Sequence, residues 1–151
     1  MEQQGLTERE LRAWRSFTEM QYLLMAGIEQ QLQATSGMST AAYAVLSLLS
    51  EAPGGRLRPY ELARVAGWEK SRLHHQLTRM STRGLIIREP YGSRGRYAVI
   101  TPKGLAALKD AFPGHAAEVR RLLTGRLTPE QLDQLTGIAT SIRDHLKADQ
   151  P

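Results

Sequence analysis

Between Pro59 and Arg83 the chain sets two short helical patterns on either side of Gly67. Pro59 suits the first turn of a helix that carries Leu62, Ala63 and Val65, and Gly67 ends it. A second helix is expected from about Glu69 to Arg83, stopping at Gly84. Two helices that cross this closely need a small residue at their contact. They also need a turn residue free to take a left-handed backbone, and an apolar residue from the second helix in the shared core. Ala63, Gly67 and Leu73 supply these at the right spacings, so the segment predicts a helix-turn-helix.

The second helix carries two unlike stripes. Leu73, Leu77 and Met80 form an apolar one. About 100° around the helix axis, Arg72, Gln76, Arg79 and Arg83 form a polar and mostly basic one. A helix that buries one side and offers Arg and Gln from another fits a major groove. Arg pairs bidentately with guanine O6 and N7, and Gln with adenine N6 and N7. Lys70 and Ser71 stand near the helix start, where they can clamp phosphate. His75 lies next to the stripe and joins the candidate DNA contacts. The bland alternative is a solvated face that happens to be basic. The elements on both sides weigh against it.

Downstream, 85–89 and 96–100 are β-prone around a turn at Tyr91-Gly92-Ser93-Arg94-Gly95, which predicts a hairpin. Arg94 sits at its tip, with Arg88 and Arg96 at its shoulders. A β-wing places such an Arg in a minor groove, whose negative potential attracts it. Otherwise the turn only aids solubility.

Long amphipathic patterns flank this centre. From about Thr7 to Ala34, Leu11, Trp14, Phe17, Leu24, Ile28 and Leu32 recur at helical spacing, and Thr7 with Glu10 reads as a capping box. At 1.5 Å per residue this helix is about 40 Å long, more than a small domain needs, so it is expected to pack on another chain. Ser39 caps a next helix with Ala42, Val45, Leu46 and Leu49 on its buried face, and Pro53-Gly54-Gly55 stops it. After the hairpin, Thr101-Pro102 opens a helix that Pro113-Gly114 should break or bend. Thr128-Pro129-Glu130-Gln131 opens the last helix, in which Leu132, Leu135, Ile138, Ile142 and Leu146 keep helical spacing. The expected fold is mainly α (α+β): a winged helix-turn-helix over 39–101, with long helices in 1–38 and 102–151.

The remaining composition narrows the function. The 151 residues carry no cysteine, which excludes disulfides, thiolate nucleophiles, cysteine zinc sites and thiol redox sensing. A formal charge of +5 fits a polyanionic partner. No apolar run is long enough to span a bilayer, and charges spread through 1–12 argue against a signal peptide, so a cytoplasmic protein without membrane contact is expected. No phosphate-binding glycine loop, nucleophile elbow or His-Glu-x-x-His occurs, and no enzyme is expected. His74 and His75 point about 100° apart, and His115 and His145 stand alone, so neither a metal site nor any other cofactor is expected.

The run Leu62-Ala63, Gly67-Trp68-Glu69-Lys70-Ser71-Arg72-Leu73, Leu77-Thr78-Arg79-Met80 and Arg83-Gly84-Leu85-Ile86 resembles the winged helix-turn-helix of MarR-type transcriptional regulators. The flanks agree: Tyr43-Ala44-Val45-Leu46 before it, and Leu127-Thr128-Pro129-Glu130-Gln131-Leu132 near the end. The resemblance covers nearly the whole chain. It implies a homodimer held by the terminal helices on a pseudo-palindromic operator in double-stranded DNA, commonly as a repressor. It also implies release by a small aromatic or anionic effector bound between the dimer helices and the winged domain. Leu11, Leu24, Ile28, Leu132, Leu135, Ile138, Ile142 and Leu146 would then form the dimer face. Two departures stand out. Gly92 and Ser93 occupy the region where the family commonly has an Asp that steadies the wing Arg, and His74-His75 replaces small polar residues on the recognition helix.

Trp14, Arg15, Phe17 and Tyr43 are the candidate walls of an effector pocket, Arg15 pairing with a ligand carboxylate. Dimer core is the competing reading for the aromatics. The competing reading for the whole chain is a helical protein-interaction module without specific DNA binding.

Overall fold

The computed structural model describes residues 5–150, so the outermost residues of the two expected terminal segments lie outside the description. The order is α1 (Glu8–Ser36), α2 (Thr40–Glu51), a 3-10 turn at Pro53–Gly55, β1 (Arg56–Leu57), α3 (Pro59–Ala66), α4 (Lys70–Thr82), β2 (Ile86–Tyr91), β3 (Gly95–Ile100), α5 (Pro102–Leu122), a second 3-10 turn at Thr124–Arg126, and α6 (Pro129–Ala148). The elements follow the expected sequence, and the three strands form an antiparallel sheet in the order β1-β3-β2.

Two compact units emerge. One is Ile28–His115; the other joins the residues up to Gly27 with those from Ala116 onward. In the central unit Ile28 and Leu32 of α1 share the core with Val45, Leu46 and Leu49 of α2, Leu62 of α3, Leu73, Leu77 and Met80 of α4, and Ile86 of β2. Ala111 of α5 is also buried. This core therefore reaches beyond the expected 39–101 at both ends. Ile28, assigned from sequence to the dimer face, is 8% exposed and belongs to the protomer's own core. It lies one turn before Leu32, on the same helix face, and is buried for that reason.

Local chemistry sets the element ends. Ser39 accepts the Ala42 N–H at 3.0 Å. Glu29, from α1, accepts both the backbone N–H and the hydroxyl of Thr40 at 2.7 Å. These bonds hold its carboxyl below the ordinary carboxylate range. Thr128 and Gln131 form the expected capping box of α6. A Cβ at Gly104 would run into the Leu85 carbonyl oxygen, so the glycine lets the first turn of α5 approach the start of the wing. The Thr101 hydroxyl fastens the same junction by donating to the Gly84 carbonyl at 2.6 Å.

The expected break at Pro113 does not occur: α5 continues through it to Leu122. Pro113 has no N–H for the carbonyl of Lys109. Both residues are exposed, so water takes that bond and the helix tolerates the gap.

Candidate nucleic-acid interface

The interface is built on α3 and α4. Gly67 ends α3 at φ 68°, and the Trp68 N–H returns to the Ala63 carbonyl at 3.0 Å. That left-handed turn is where glycine's freedom matters. It lets α4 start three residues later with Leu73, Leu77 and Met80 turned into the core, each at most 2% exposed. Lys70, Ser71, Arg72, His74, His75, Thr78, Arg79 and Arg83 are exposed. Arg72, His75, Thr78 and Arg79 line one shallow, open depression. No acidic residue lies between Lys70 and Thr82, so nothing on the helix itself offsets its positive face.

Gln76 is a correction. It was placed among the base-reading side chains, yet it is 6% exposed. Its position borders both the apolar and the polar stripe, and packing takes it inward. Its Oε1 accepts a hydrogen bond from Nη2 of Arg79 at 3.2 Å. It therefore orients an exposed arginine instead of standing free. Arg72 is held by another means: its guanidinium lies 4.8 Å from the ring centre of Trp68, a cation–π contact. Both arginines are thus partly pre-set before any ligand arrives. Thr78, which joins them in the depression, was absent from the sequence candidates. Its place six residues after Arg72 and three after His75 is the signal that would have found it.

Arg83 has a second partner. Both Nη atoms lie 3.5 Å from the Gly37 carbonyl at the end of α1, and its own carbonyl accepts from Lys103 Nζ at 2.8 Å. It ties the end of α4 to its neighbours. In the hairpin, Arg94 and Arg96 are exposed at and beside the tip, as expected. Arg88 is half-buried and donates from Nε to the Tyr97 carbonyl at 3.3 Å. Burial, then the charge of Arg96, pushes its guanidinium below the ordinary arginine range.

The four expected pocket residues are not gathered into one wall. Trp14 and Phe17 are 56% and 50% exposed, with ring centres 6.2 Å apart, and Arg15 is exposed. Tyr43 belongs to the central unit, where its ring lies 4.2 Å from that of His115. Burial raises the Tyr43 hydroxyl above its ordinary value and lowers His115 below 6.5. Nδ1 of His115 and Oε1 of Gln31 are buried without hydrogen-bond partners. Of the expected dimer residues, Ile138, Ile142 and Leu146 are more than half exposed, Leu135 is 36% exposed, and Leu11, Leu24 and Leu132 are partly covered. Leu23 at 77% and Tyr22 at 74% exposure extend this uncovered apolar surface on α1. Among the described residues no group of three His, Asp or Glu side chains could hold a metal, and no helix is long and apolar enough to cross a membrane.

Comparison with known proteins gives the same direction. A MarR family model matches residues 36–96. The sequence has no significant match among curated proteins. AbsC, a MarR family transcriptional regulator from Streptomyces coelicolor, is 38% identical over 97% of this chain and 99% of its own, with a TM-score of 0.87. Sco3205, a MarR family regulator from the same organism solved in complex with DNA, is also 38% identical, over 97% of this chain and 95% of its own, with a TM-score of 0.89. The organohalide-sensing regulator RdhR-CbdbA1625, bound to 2,4-dichlorophenol, shares the fold at 21% identity, with a TM-score of 0.80 over 97% of this chain and 89% of its own. These relatives are regulators and not enzymes. With near-complete coverage at 38% identity, this chain belongs to the MarR family of transcriptional regulators.

Proposed function

We propose that the protein is a homodimeric repressor that grips a pseudo-palindromic operator, with α4 in the major groove and the wing in the adjacent minor groove. One observation carries the DNA half of this reading: the acid-free outer face of α4, where Arg72 and Arg79 are each held by a neighbour. Arg72 and Arg79 read bases, with His75 and Thr78 between them. Lys70, Ser71 and the end of α4 near Arg83 face phosphates, and Arg94 and Arg96 reach from the wing. The DNA-bound relative Sco3205 supports the assignment.

The dimer half rests on burial. Every buried residue among those described falls between Ile28 and Ala111. The terminal helices keep Ile138, Ile142, Leu146, Tyr22 and Leu23 uncovered, and a second copy supplies the missing partner surface. A two-fold axis would then set two α4 helices about 34 Å apart, one DNA turn.

Release by a small aromatic or anionic effector is the third part. The buried, unpartnered Gln31 Oε1 and His115 Nδ1, beside the Tyr43 ring, offer one hydrogen-bond acceptor and one imidazole to such a ligand. The dichlorophenol-bound relative fits this chemistry. A ligand that favours a half-site spacing unlike that of DNA by about 1.4 kcal/mol weakens binding tenfold.

The test is a gel shift against the protein's own upstream intergenic DNA, with excess unrelated competitor, at 50 and 200 mM salt. For about 6 to 10 neutralised phosphates, affinity should drop by ~10³ to 10⁵ between those salts. The footprint should be two-fold symmetric. No shift at the lower salt from a confirmed dimer would favour the protein-interaction module instead.

A further inference from the structure

The wing holds an aromatic and cationic stack that sequence reading did not connect. Tyr91 closes β2 opposite Gly95, and Tyr97 lies two residues further along β3, opposite Glu89. The two tyrosines are therefore diagonal neighbours on one face of the hairpin, with ring centres 4.6 Å apart. Arg58, just before α3, lays its guanidinium 4.8 Å from the Tyr91 ring centre and 6.0 Å from that of Tyr97. Arg56 of β1 covers Tyr97 at 4.6 Å and also pairs with Glu89 at 3.7 Å. The backbone N–H of Arg58 is itself fixed, donating to Glu61 at 2.8 Å.

Gly95 completes the arrangement. A Cβ there would run into the Tyr91 ring, so the ring rests on bare backbone at the base of the turn. The turn beyond it is Gly92-Ser93-Arg94, with Gly92 at φ 59°. No acidic side chain within the turn is available to hold Arg94. The nearest fixed structure is the tyrosine pair, clamped by two arginines that come from β1 and the start of α3.

We infer that the Arg58–Tyr91–Tyr97–Arg56 stack is the brace of the wing, and that Tyr91 is a positioning residue for Arg94. The functional half rests on the reading that the wing enters a groove. Tyr91 acts on DNA only through Arg94: its ring fixes the base of a turn that would otherwise swing on Gly92 and Gly95. The order of the wing is thus coupled to the helix-turn-helix through the Arg58 joint, not through the tip itself.

Two measurements on the full-length protein separate the halves. The first is the heteronuclear ¹⁵N NOE of the Gly92–Gly95 amides without DNA, a direct readout of fast motion. Tyr91→Ala should lower these values, Tyr91→Phe should leave them unchanged, and Gly95→Ala, which displaces the ring without deleting it, should lower them too. Equal values in Tyr91→Ala and the parent, with thermal midpoints matched, would overturn the brace. The second is a double-mutant cycle on operator affinity. Arg94→Ala alone should weaken binding about tenfold. Tyr91→Ala should cost about fivefold in the parent and less than twofold on top of Arg94→Ala. A full fivefold loss in both backgrounds would show that Tyr91 does not work through Arg94. An Arg94→Ala variant that binds like the parent would overturn the wing's role in the groove, while lowered NOE values would still establish the brace.

Discussion

In the central unit Leu46, Leu49 and Leu62 are fully buried, and Leu73, Leu77 and Met80 nearly so. In the terminal unit Ile138, Ile142 and Leu146 stand 61%, 54% and 58% exposed, although they repeat at the same helical spacing. The patterns look alike in sequence because periodicity reports that a face is apolar, not what covers it. The central unit closes its core with side chains of its own. The terminal helices are amphipathic without an internal partner, and burying one such side chain is worth about 1.5 to 3 kcal/mol. One unit is stable because of what it contains; the other because of what it meets.

The largest expected effect attacks the unit without a core. Ile138→Arg with Ile142→Arg changes residues exposed in the protomer, so the central fold should survive. Light scattering should report a monomer, and operator affinity should fall by about a hundredfold or more as the second half-site is lost. A variant still dimeric would break the comparison. Leu46→Ala is the mirror experiment. It should cost about 2 to 5 kcal/mol in thermal or denaturant unfolding. A protein in which Leu46→Ala is neutral would show that α2 is not the centre of the core.

Arg79→Ala should cost about 1 to 3 kcal/mol of specific binding and relax preference at one base pair, with dimer mass unchanged. Gln76→Leu keeps the apolar surroundings but removes the Oε1 acceptor. It should weaken binding less, by about 1 kcal/mol, with the loss at the same base pair. Affinities for single-base operator variants check both. Loss at a different base pair would mean that Gln76 does not act through Arg79.

The smallest effect is a pH dependence confined to the central unit. Folding lowers the proton affinity of both His115 and Glu29, so the unfolded chain binds protons more readily and acid destabilises. The His115 contribution is complete above 6.5 and fades as pH falls below it; that of Glu29 is complete above 4.5 and fades below that. Thermal midpoints should fall in two stages on acidification. His115→Gln should flatten the first stage and Glu29→Gln the second. Stages unchanged in these variants would assign the pH dependence to other groups.

The sequence made the helix-turn-helix legible because its requirements are local: Gly67 for the turn, Ala63 at the crossing, Leu73 in the shared core. The hairpin was legible for the same reason. What escaped depends on neighbours distant in the chain. Gln76 lies at the border of two stripes, and only packing on α4 decides that it turns inward. Ile28 reads as one more member of a long periodic face, yet the core of the central unit begins at it. Pro113 carries a true helix-breaking signal that solvent exposure cancels. The wing brace joins Arg56 and Arg58 to tyrosines more than thirty residues later, a link that no spacing rule reveals.

The account's central claim is that a second copy covers the terminal helices and thereby sets the distance between two recognition helices. The most direct test is operator affinity as a function of half-site separation. Adding about 5 base pairs between half-sites turns one by roughly half a helical turn, and adding about 10 restores the face but not the distance. The account predicts that both insertions abolish two-site binding and reduce affinity to that of a single half-site. Affinity that is indifferent to the separation would contradict it, because each copy would then be reading DNA alone.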